Sequence, residues 1–334
     1  MSGLVNLGNT CYLNSILQVL FHLPELKALC GKKLKLNKEY EHVDAGQAFL
    51  QLLTKYWKGK ANAQALTKFK SVLGYHFELF SGAHQNDQHE CLISLLDLLH
   101  HTLSYPVETL GSRKDSDKLW QQAKKQFYHD GLTTYYHPDQ PYRSVVSDLF
   151  LGQGHKRTHC DNCGFLSHRF EVFKGLELQI PNRSEPIQLE HCLEYLVGPT
   201  QLDQKDAYRC DKCNQLNRSR QRYTIWRLPQ VLVVVLVRNL TKYHNGEMIS
   251  VKDQREVTYP EYLDMSPYLS NVNQPSHYHL MATACHYGSP SYGHCTCMVS
   301  NQRHWLNIDD VQVTEAPCPN GGAQSYLLFY RLQA

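Results

Sequence analysis

Two cysteine patterns in this 334-residue chain suggest two different chemistries. The first is a doubled C-x-x-C: Cys160 and Cys163 in THCDNCG, Cys210 and Cys213 in YRCDKCN, with 46 residues (164 to 209) between the pairs. Each C-x-x-C turn presents two sulfurs on one side, and two such turns complete the four-thiolate tetrahedron that closes a structural zinc site. A closed shell leaves no position for water or substrate, so one structural zinc per chain is expected. The separation exceeds that of a compact zinc ribbon, and the metal should pin two distant hairpins together. A redox role is disfavoured because neither pair opens an apolar helix that would stabilise a thiolate. His155, His159 and His168 lie near the first pair and are read as surface histidines.

The second pattern is a single cysteine, Cys11 in NLGNTCYLNS, directly ahead of a helical apolar stripe. A thiol in a first helical turn gains from the positive end of the dipole, and a nearby imidazole would favour the thiolate further. A lone cysteine there is more commonly a small buried hydrophobe, so partners decide the matter. His294 in SPSYGHCTCMVS is the candidate base: Gly293 permits a close backbone approach and a β-prone run follows. About fifteen residues on, RHWLNIDDV offers Asp309 and Asp310 on the next expected strand. Cysteine, histidine and carboxylate would form nucleophile, base and orienting group. Spacing alone leaves packing open for Cys11 and does not choose between the aspartates.

The elements that must position these groups are legible in outline. Leu13, Ile16, Leu17 and Leu20 recur at helical spacing after the capping candidates Asn9 and Thr10, and Pro24 follows the end of the stripe. QHECLISLLDLLHHTL predicts a second helix, with Leu92, Leu95, Leu96 and Leu99 on one face. The stretch between Pro106 and Tyr142 reads as a solvated insertion with one short helix. From Val145 onward short β-prone runs dominate, among them VVSDLFLG, FEVFKGLELQI, VLVVVLVR, HCTCMVS and HWLNID. Helices in front and strands behind predict an α+β fold.

Composition narrows the class. Thirty-four Lys and Arg against 31 Asp and Glu give a net charge of +3, too balanced for nucleic acid or an anionic membrane to be the main partner. VLVVVLV is far too short to span a bilayer, and the N-terminus lacks the pattern of a secretory signal. An intracellular protein of cytoplasm or nucleus is expected, in which twelve cysteines serve metal binding, catalysis and packing rather than disulfides.

Five segments, in order, closely resemble the motifs of the ubiquitin-specific proteases, the papain-like cysteine deubiquitinases. GLVNLGNTCYLNSILQVLFHLPELK is similar to their cysteine box, GAHQNDQHECLISLLDLLH to their glutamine-aspartate-x-x-glutamate helix, and the paired C-x-x-C turns to their zinc-bearing fingers. LPQVLVVVLVR resembles the strand entering the palm, and YHLMATACHYGSPSYGHCTCMVSNQRHWLNIDDVQVT with SYLLFYRL resembles the histidine box and closing strand. The resemblance implies Cys11 as nucleophile, His294 as general base, Asp309 as third member, and Asn6 as the side-chain amide that donates to the oxyanion. It implies Asp87 as the acidic residue that holds the C-terminal tail of ubiquitin. Gln18 and Glu90 are read as structural.

The implied fold is a papain-like α+β domain: helical thumb over about 1–110, polar insertion over 111–144, zinc-bearing β fingers over 145–225 and β-rich palm over 226–334. The implied reaction is thiol-dependent hydrolysis of the isopeptide or peptide bond after the terminal glycine of ubiquitin. Ubiquitin and ubiquitinated proteins are the expected partners of a monomer that has room for a regulatory protein. Strand alternation lets only one of the adjacent aspartates face His294, and the reading has Asp309 accept its Nδ1 proton. Two departures stand out: GHCTC sets Cys295 where the family shows an aromatic, and NDQHEC sets Cys91 where phenylalanine is common. Cys295 and Cys297 are read as packing residues. The altered GHCTC keeps a ubiquitin-like modifier as an alternative substrate, and a non-cleaving ubiquitin-binding protein is the other alternative.

Overall fold

The computed structural model describes residues 2–107, 118–132, 141–183, 186–244, 247–301 and 304–333. A helical part comes first, built on Cys11–Phe21, Val43–Trp57, Ala63–His76 and Gln88–Leu103. All eleven residues of the Cys11–Phe21 helix are buried, because it runs between the other helices and the palm-side sheet. Among the described residues no helix is long and apolar enough to cross a membrane.

That sheet is the frame of the molecule. Its strands lie in the order Gln312–Ala316, His304–Asp309, Gly293–Asn301, His277–Gly288, Ser325–Leu332, Val231–Val237 and Leu176–Gln179, with Tyr262–Asp264 also paired to His277–Gly288. Neighbours are antiparallel except Leu176–Gln179, which runs parallel to Val231–Val237. The VLVVVLV run is explained by burial on both faces. Val231, Val233 and Val235 enter the core shared with the Cys11–Phe21 helix, while Leu232, Val234 and Leu236 enter a second core behind the sheet. The helix packs on the Gly293–Asn301 strand through that first core, which brings the two ends of the sequence together.

A second, four-stranded sheet, with Leu166–Phe173, Gly152–Cys160, Ser219–Arg227 and Pro199–Leu202 in that order and antiparallel, carries the first C-x-x-C turn, while the second turn joins the separate strand pair Tyr208–Arg209 and Leu216–Asn217. Not all of 145–225 belongs to it, since Leu176–Gln179 joins the large sheet and Leu189–Val197 is a helix.

Three local expectations are corrected. VVSDLFLG is not a strand at its start: Val145–Phe150 is a helix, because the Ser144 hydroxyl accepts from the Val146 and Ser147 N–H groups while Ser147 returns a bond to the Ser144 N–H. That capping box outweighs the β preference of the paired valines. In the insertion, Lys118–Leu132 is a helix of 15 residues that buries Ala123, Phe127 and Leu132. The rest of the stretch read as 111–144 falls partly on 111–117 and 133–140, which lie outside the described residues. His155 is not a surface residue. It is 2% exposed, stacked on Phe170, with Nε2 2.9 Å from His168 Nδ1, and burial holds its ring down to about 4.

Candidate active site

Cys11 is delivered by a tight loop that Asn6 and Thr10 organise. The Asn6 Oδ1 accepts from the Gly8 N–H at 3.0 Å and the Thr10 N–H at 3.1 Å, while Thr10 Oγ1 accepts from the Leu7 N–H at 2.9 Å. Gly8 and Asn9 take positive φ, 95° and 54°, to make the reversal. Thr10 holds the cap position expected of it, but its side chain faces back into the loop and makes no cap bond to the helix. The first-turn N–H groups next to Cys11 therefore escape side-chain capping, the arrangement an oxyanion site needs.

His294 and Asp309 meet across adjacent strands. The contact is His294 Nε2 to Asp309 Oδ1, 2.6 Å. This corrects the expectation that Nδ1 would face the aspartate: Asp309, on the neighbouring strand, meets the Nε2 edge of the ring. Burial works against the charged ring, but the hydrogen bond and charge of Asp309, with Cys11 and Asp310 behind them, raise His294 above its ordinary value. The Cys11 thiol is lowered to about 6. A hydrogen bond from the Cys295 side chain contributes most, with the Cys295 backbone and the His294 charge assisting, against burial and Asp310. A lowered thiol beside a raised imidazole shifts the pair toward thiolate and imidazolium, the reactive form for acyl transfer.

Asp310 turns away from this pair at φ 50°. Its Oδ1 accepts from Asn14 Nδ2 at 2.7 Å, its Oδ2 from Asn6 Nδ2 at 2.9 Å, and its carbonyl from the Leu4 N–H at 2.8 Å. Gly3 is required beside it, since a Cβ there would lie 2.1 Å from the Asp310 carbonyl oxygen. Asp310 thus fixes the Asn6 amide, which keeps its second N–H for a reacting oxygen. His294, Asp309 and Asp310 place ligand atoms within 4.8 Å of one another, but the carboxylates are committed to hydrogen bonds, so the trio is not a metal-ligand set.

Asp87 caps the Gln88–Leu103 helix, accepting from the His89 N–H at 2.7 Å and the Glu90 N–H at 3.0 Å, and both its oxygens accept from the Tyr326 hydroxyl at 3.1 and 2.9 Å. It lines a cavity of about 160 Å³ with Gln85, His286, Tyr292, Cys295 and Tyr326, beside the Cys11–His294 pair. Gln18 and Gln88 are buried and structural, bonded to the Tyr56 and Ser15 hydroxyls.

Where the first C-x-x-C turn meets the turn between Tyr208–Arg209 and Leu216–Asn217, the four expected cysteines converge, with all sulfurs within 4.8 Å of one another. Cys160 to Cys213 is 4.0 Å and Cys163 to Cys210 is 3.6 Å. These bracket the edge of about 3.8 Å that Zn–S bonds of about 2.3 Å give a tetrahedron. The two turns repeat one geometry. In each, the first cysteine's carbonyl accepts from the residue four on, Gly164 or Asn214, at 2.9 and 2.8 Å. Those two residues take the left-handed conformation at φ 67° and 54°. Asn217 Nδ2 donates to the Cys213 sulfur at 3.4 Å and the Lys212 N–H to the Cys210 sulfur at 3.4 Å, which suits thiolates. The cluster could hold a metal ion.

A family model described as ubiquitin carboxyl-terminal hydrolase matches residues 2–330. The chain belongs to that family. Among curated relatives it is 28% identical to ubiquitin carboxyl-terminal hydrolase Usp2 of Drosophila melanogaster, over 99% of this chain and 34% of that protein. It is likewise 28% identical to human ubiquitin carboxyl-terminal hydrolase 2, over 99% of this chain and 55% of that protein. The chain thus spans between about a third and just over half of these relatives' length. Among solved structures, the SAGA DUB module (Ubp8/Sgf11/Sus1/Sgf73) bound to ubiquitin aldehyde matches with a TM-score of 0.73 at 21% identity, covering all of this chain and 70% of that one. A structure of the same module bound to monoubiquitin gives 0.73 at 21% identity over all of this chain and 69% of that one. The expected α+β fold of the ubiquitin-specific proteases is the fold of this chain.

In this member of the hydrolase family, two features of the site are not visible in the motifs. Cys295 packs in the core as expected, and it also lies against Cys11 and lowers its thiol; its place immediately after His294 is the available signal. The role of Asn14 has no local signal, because it depends on Asp310, 296 residues away. Cys297, by contrast, is fully buried, and burial pushes its thiol up, as packing requires.

Proposed function

We propose that this chain is a thiol-dependent deubiquitinase that hydrolyses the isopeptide or peptide bond after the C-terminal glycine of ubiquitin. The observation that carries the reading is the lowered Cys11 thiol at a helix start, beside a His294 ring hydrogen-bonded to Asp309, in a chain matched by the hydrolase family over residues 2–330. The Cys11 thiolate attacks the glycine carbonyl, and the Asn6 amide with first-turn N–H groups receives the negative charge on the carbonyl oxygen. The tetrahedral intermediate collapses as the His294 imidazolium gives its proton to the leaving lysine amine. Water, deprotonated by the now neutral His294, then attacks the thioester, and Cys11 leaves as thiolate. Asp309 holds the ring through Nε2 in both halves.

One structural zinc held by Cys160, Cys163, Cys210 and Cys213 belongs to this reading; when bound it supplies rigidity to the second sheet and no chemistry to the bond cleaved. Ubiquitin and ubiquitinated proteins are the substrates, and Asp87, at the cavity beside the pair, contributes to holding the ubiquitin tail. The similar SAGA module structures, one with ubiquitin aldehyde and one with monoubiquitin, alongside Sgf11, Sus1 and Sgf73, support both ubiquitin and a regulatory partner. The test is hydrolysis of a C-terminal fluorogenic amide of ubiquitin beside the same amides of ubiquitin-like modifiers. Turnover of the ubiquitin amide above the others is expected. Turnover of a modifier amide alone, or of none, would overturn the substrate assignment.

A further inference from the structure

The loop ahead of the Gln88–Leu103 helix touches both halves of the catalytic pair. On one side the Asn9 side chain, two residues before Cys11, donates to the Ala83 carbonyl at 2.9 Å. On the other, two residues further along the loop, Gln85 forms a two-bond ring with Gly293, one residue before His294. Gln85 Nε2 donates to the Gly293 carbonyl at 3.0 Å, and the Gly293 N–H donates to Gln85 Oε1 at 2.9 Å. The primary carboxamide offers the same donor and acceptor as a peptide unit, so one side chain satisfies both main-chain groups of Gly293. Two residues on, Asp87 anchors the loop's far end to Tyr326 of the large sheet. Residues 83–87 therefore join the nucleophile loop, the start of the base strand and the central sheet.

Gly293 is pressed from behind as well. A Cβ there would lie 2.2 Å from His286 Nε2 and 2.3 Å from the Tyr287 carbonyl oxygen, so the strand start rests directly on its hairpin partner. Pairing with His304–Asp309 begins only at Cys297, where it meets Ile308. Between Gly293 and Cys297 the base strand lacks ladder support on that side, and Gln85 supplies the lateral tie.

Resting on the proposed thiol mechanism, we propose that Gln85 is a positioning residue: through Gly293 it fixes the approach of the His294 imidazole to the Cys11 thiol. It touches neither reacting atom and acts by geometry, and displacements of about 1 Å in such sites cost up to about 10²-fold in rate. Gln85 is exposed, so replacing it leaves the core untouched. A solvated tie of this kind should cost about tenfold.

The test uses the whole chain with Gln85→Ala and Gln85→Glu; the second keeps length and bulk but sets a carboxylate against the Gly293 carbonyl. Two readouts are taken. The first is kcat and KM on the ubiquitin fluorogenic amide. The second needs no ubiquitin: the rate of Cys11 alkylation by iodoacetamide against pH, read by mass spectrometry of the Cys11 peptide. The groups that set this thiol are Cys295, His294 and Asp310 together with its own helix start, and only His294 and Cys295 lie on the strand Gln85 ties. Both variants should lose about tenfold in kcat with KM within about twofold, and both should shift the alkylation midpoint to higher pH. A midpoint that stays at the wild-type value in both variants, or a gain in turnover, overturns the proposal. A wild type that cleaves no ubiquitin amide overturns the substrate reading instead, and the alkylation arm still decides the role of Gln85.

Discussion

In the two knuckles, each pair of thiols is set by a turn of five residues that occurs twice, C-x-x-C closed by a left-handed Gly164 or Asn214. The Cys11 thiol depends instead on Cys295 and His294 on a strand more than 280 residues later, and on Asp310 beyond them. Turn chemistry builds the first site locally, and the second exists only once a helix has packed against a sheet. The difference predicts how each fails: damage to a knuckle should spread into stability, while damage to the cleft should stop at the chemistry.

The largest effect short of removing the nucleophile is expected at Asp309. Asp309→Ala leaves His294 without its Nε2 partner, so kcat on the ubiquitin amide should fall by about 10³-fold with little change in KM and in thermal stability. Equal losses in kcat and in melting temperature would place Asp309 among structural residues. Cys163→Ala should do the reverse. A three-thiolate site holds zinc weakly, and since metal binding energy is folding energy there, the variant should lose several kcal/mol of stability and its stoichiometric zinc by elemental analysis. A native protein that carries no zinc, or a variant as stable as wild type, breaks the contrast.

Asp310 sharpens it further, because this residue lies in the cleft but acts through another side chain. Asp310→Ala and Asn6→Ala should each cost about 10²-fold, and the double variant should be no worse than the single ones, since both changes remove the same positioned amide. Additive losses in that cycle would mean that Asp310 works independently of Asn6. A smaller change is expected at Cys295. With the Cys11 thiol at about 6, activity should rise through that pH as the thiolate forms. Cys295→Ala removes the hydrogen bond that lowers the thiol most, so the acid limb should move toward neutral, with the deficit largest below pH 6 and nearly gone at pH 8. An acid limb that stays fixed would show that the Cys295 thiol is packing alone.

The same contrast explains what could be read from sequence. The knuckles were legible outright, because spacing within each turn dictates sulfur placement. The Cys11–Phe21 and Gln88–Leu103 helices were legible from apolar spacing, and the doubly buried Val231–Val237 strand from its unbroken run. The cleft was legible only as candidates. Which nitrogen of His294 meets Asp309 depends on the direction from which two strands present their side chains. The tie from Asp310 to Asn6 and Asn14 depends on the N-terminal segment lying against the Asp310 turn at Gly3. The Val145–Phe150 helix contradicts the β preference of its paired valines because a capping box of two serines starts it.

In the proposed mechanism one thiol among twelve, Cys11, is the nucleophile that meets the ubiquitin terminus. Ubiquitin carrying a thiol-reactive electrophile at its C-terminus would be incubated with the native chain and with Cys11→Ala, and the adducts mapped by peptide mass spectrometry. A single adduct is expected, on Cys11, and none in the variant, which should remain folded. An adduct on any other cysteine that persists in Cys11→Ala, or no adduct on the native chain, would contradict the mechanism.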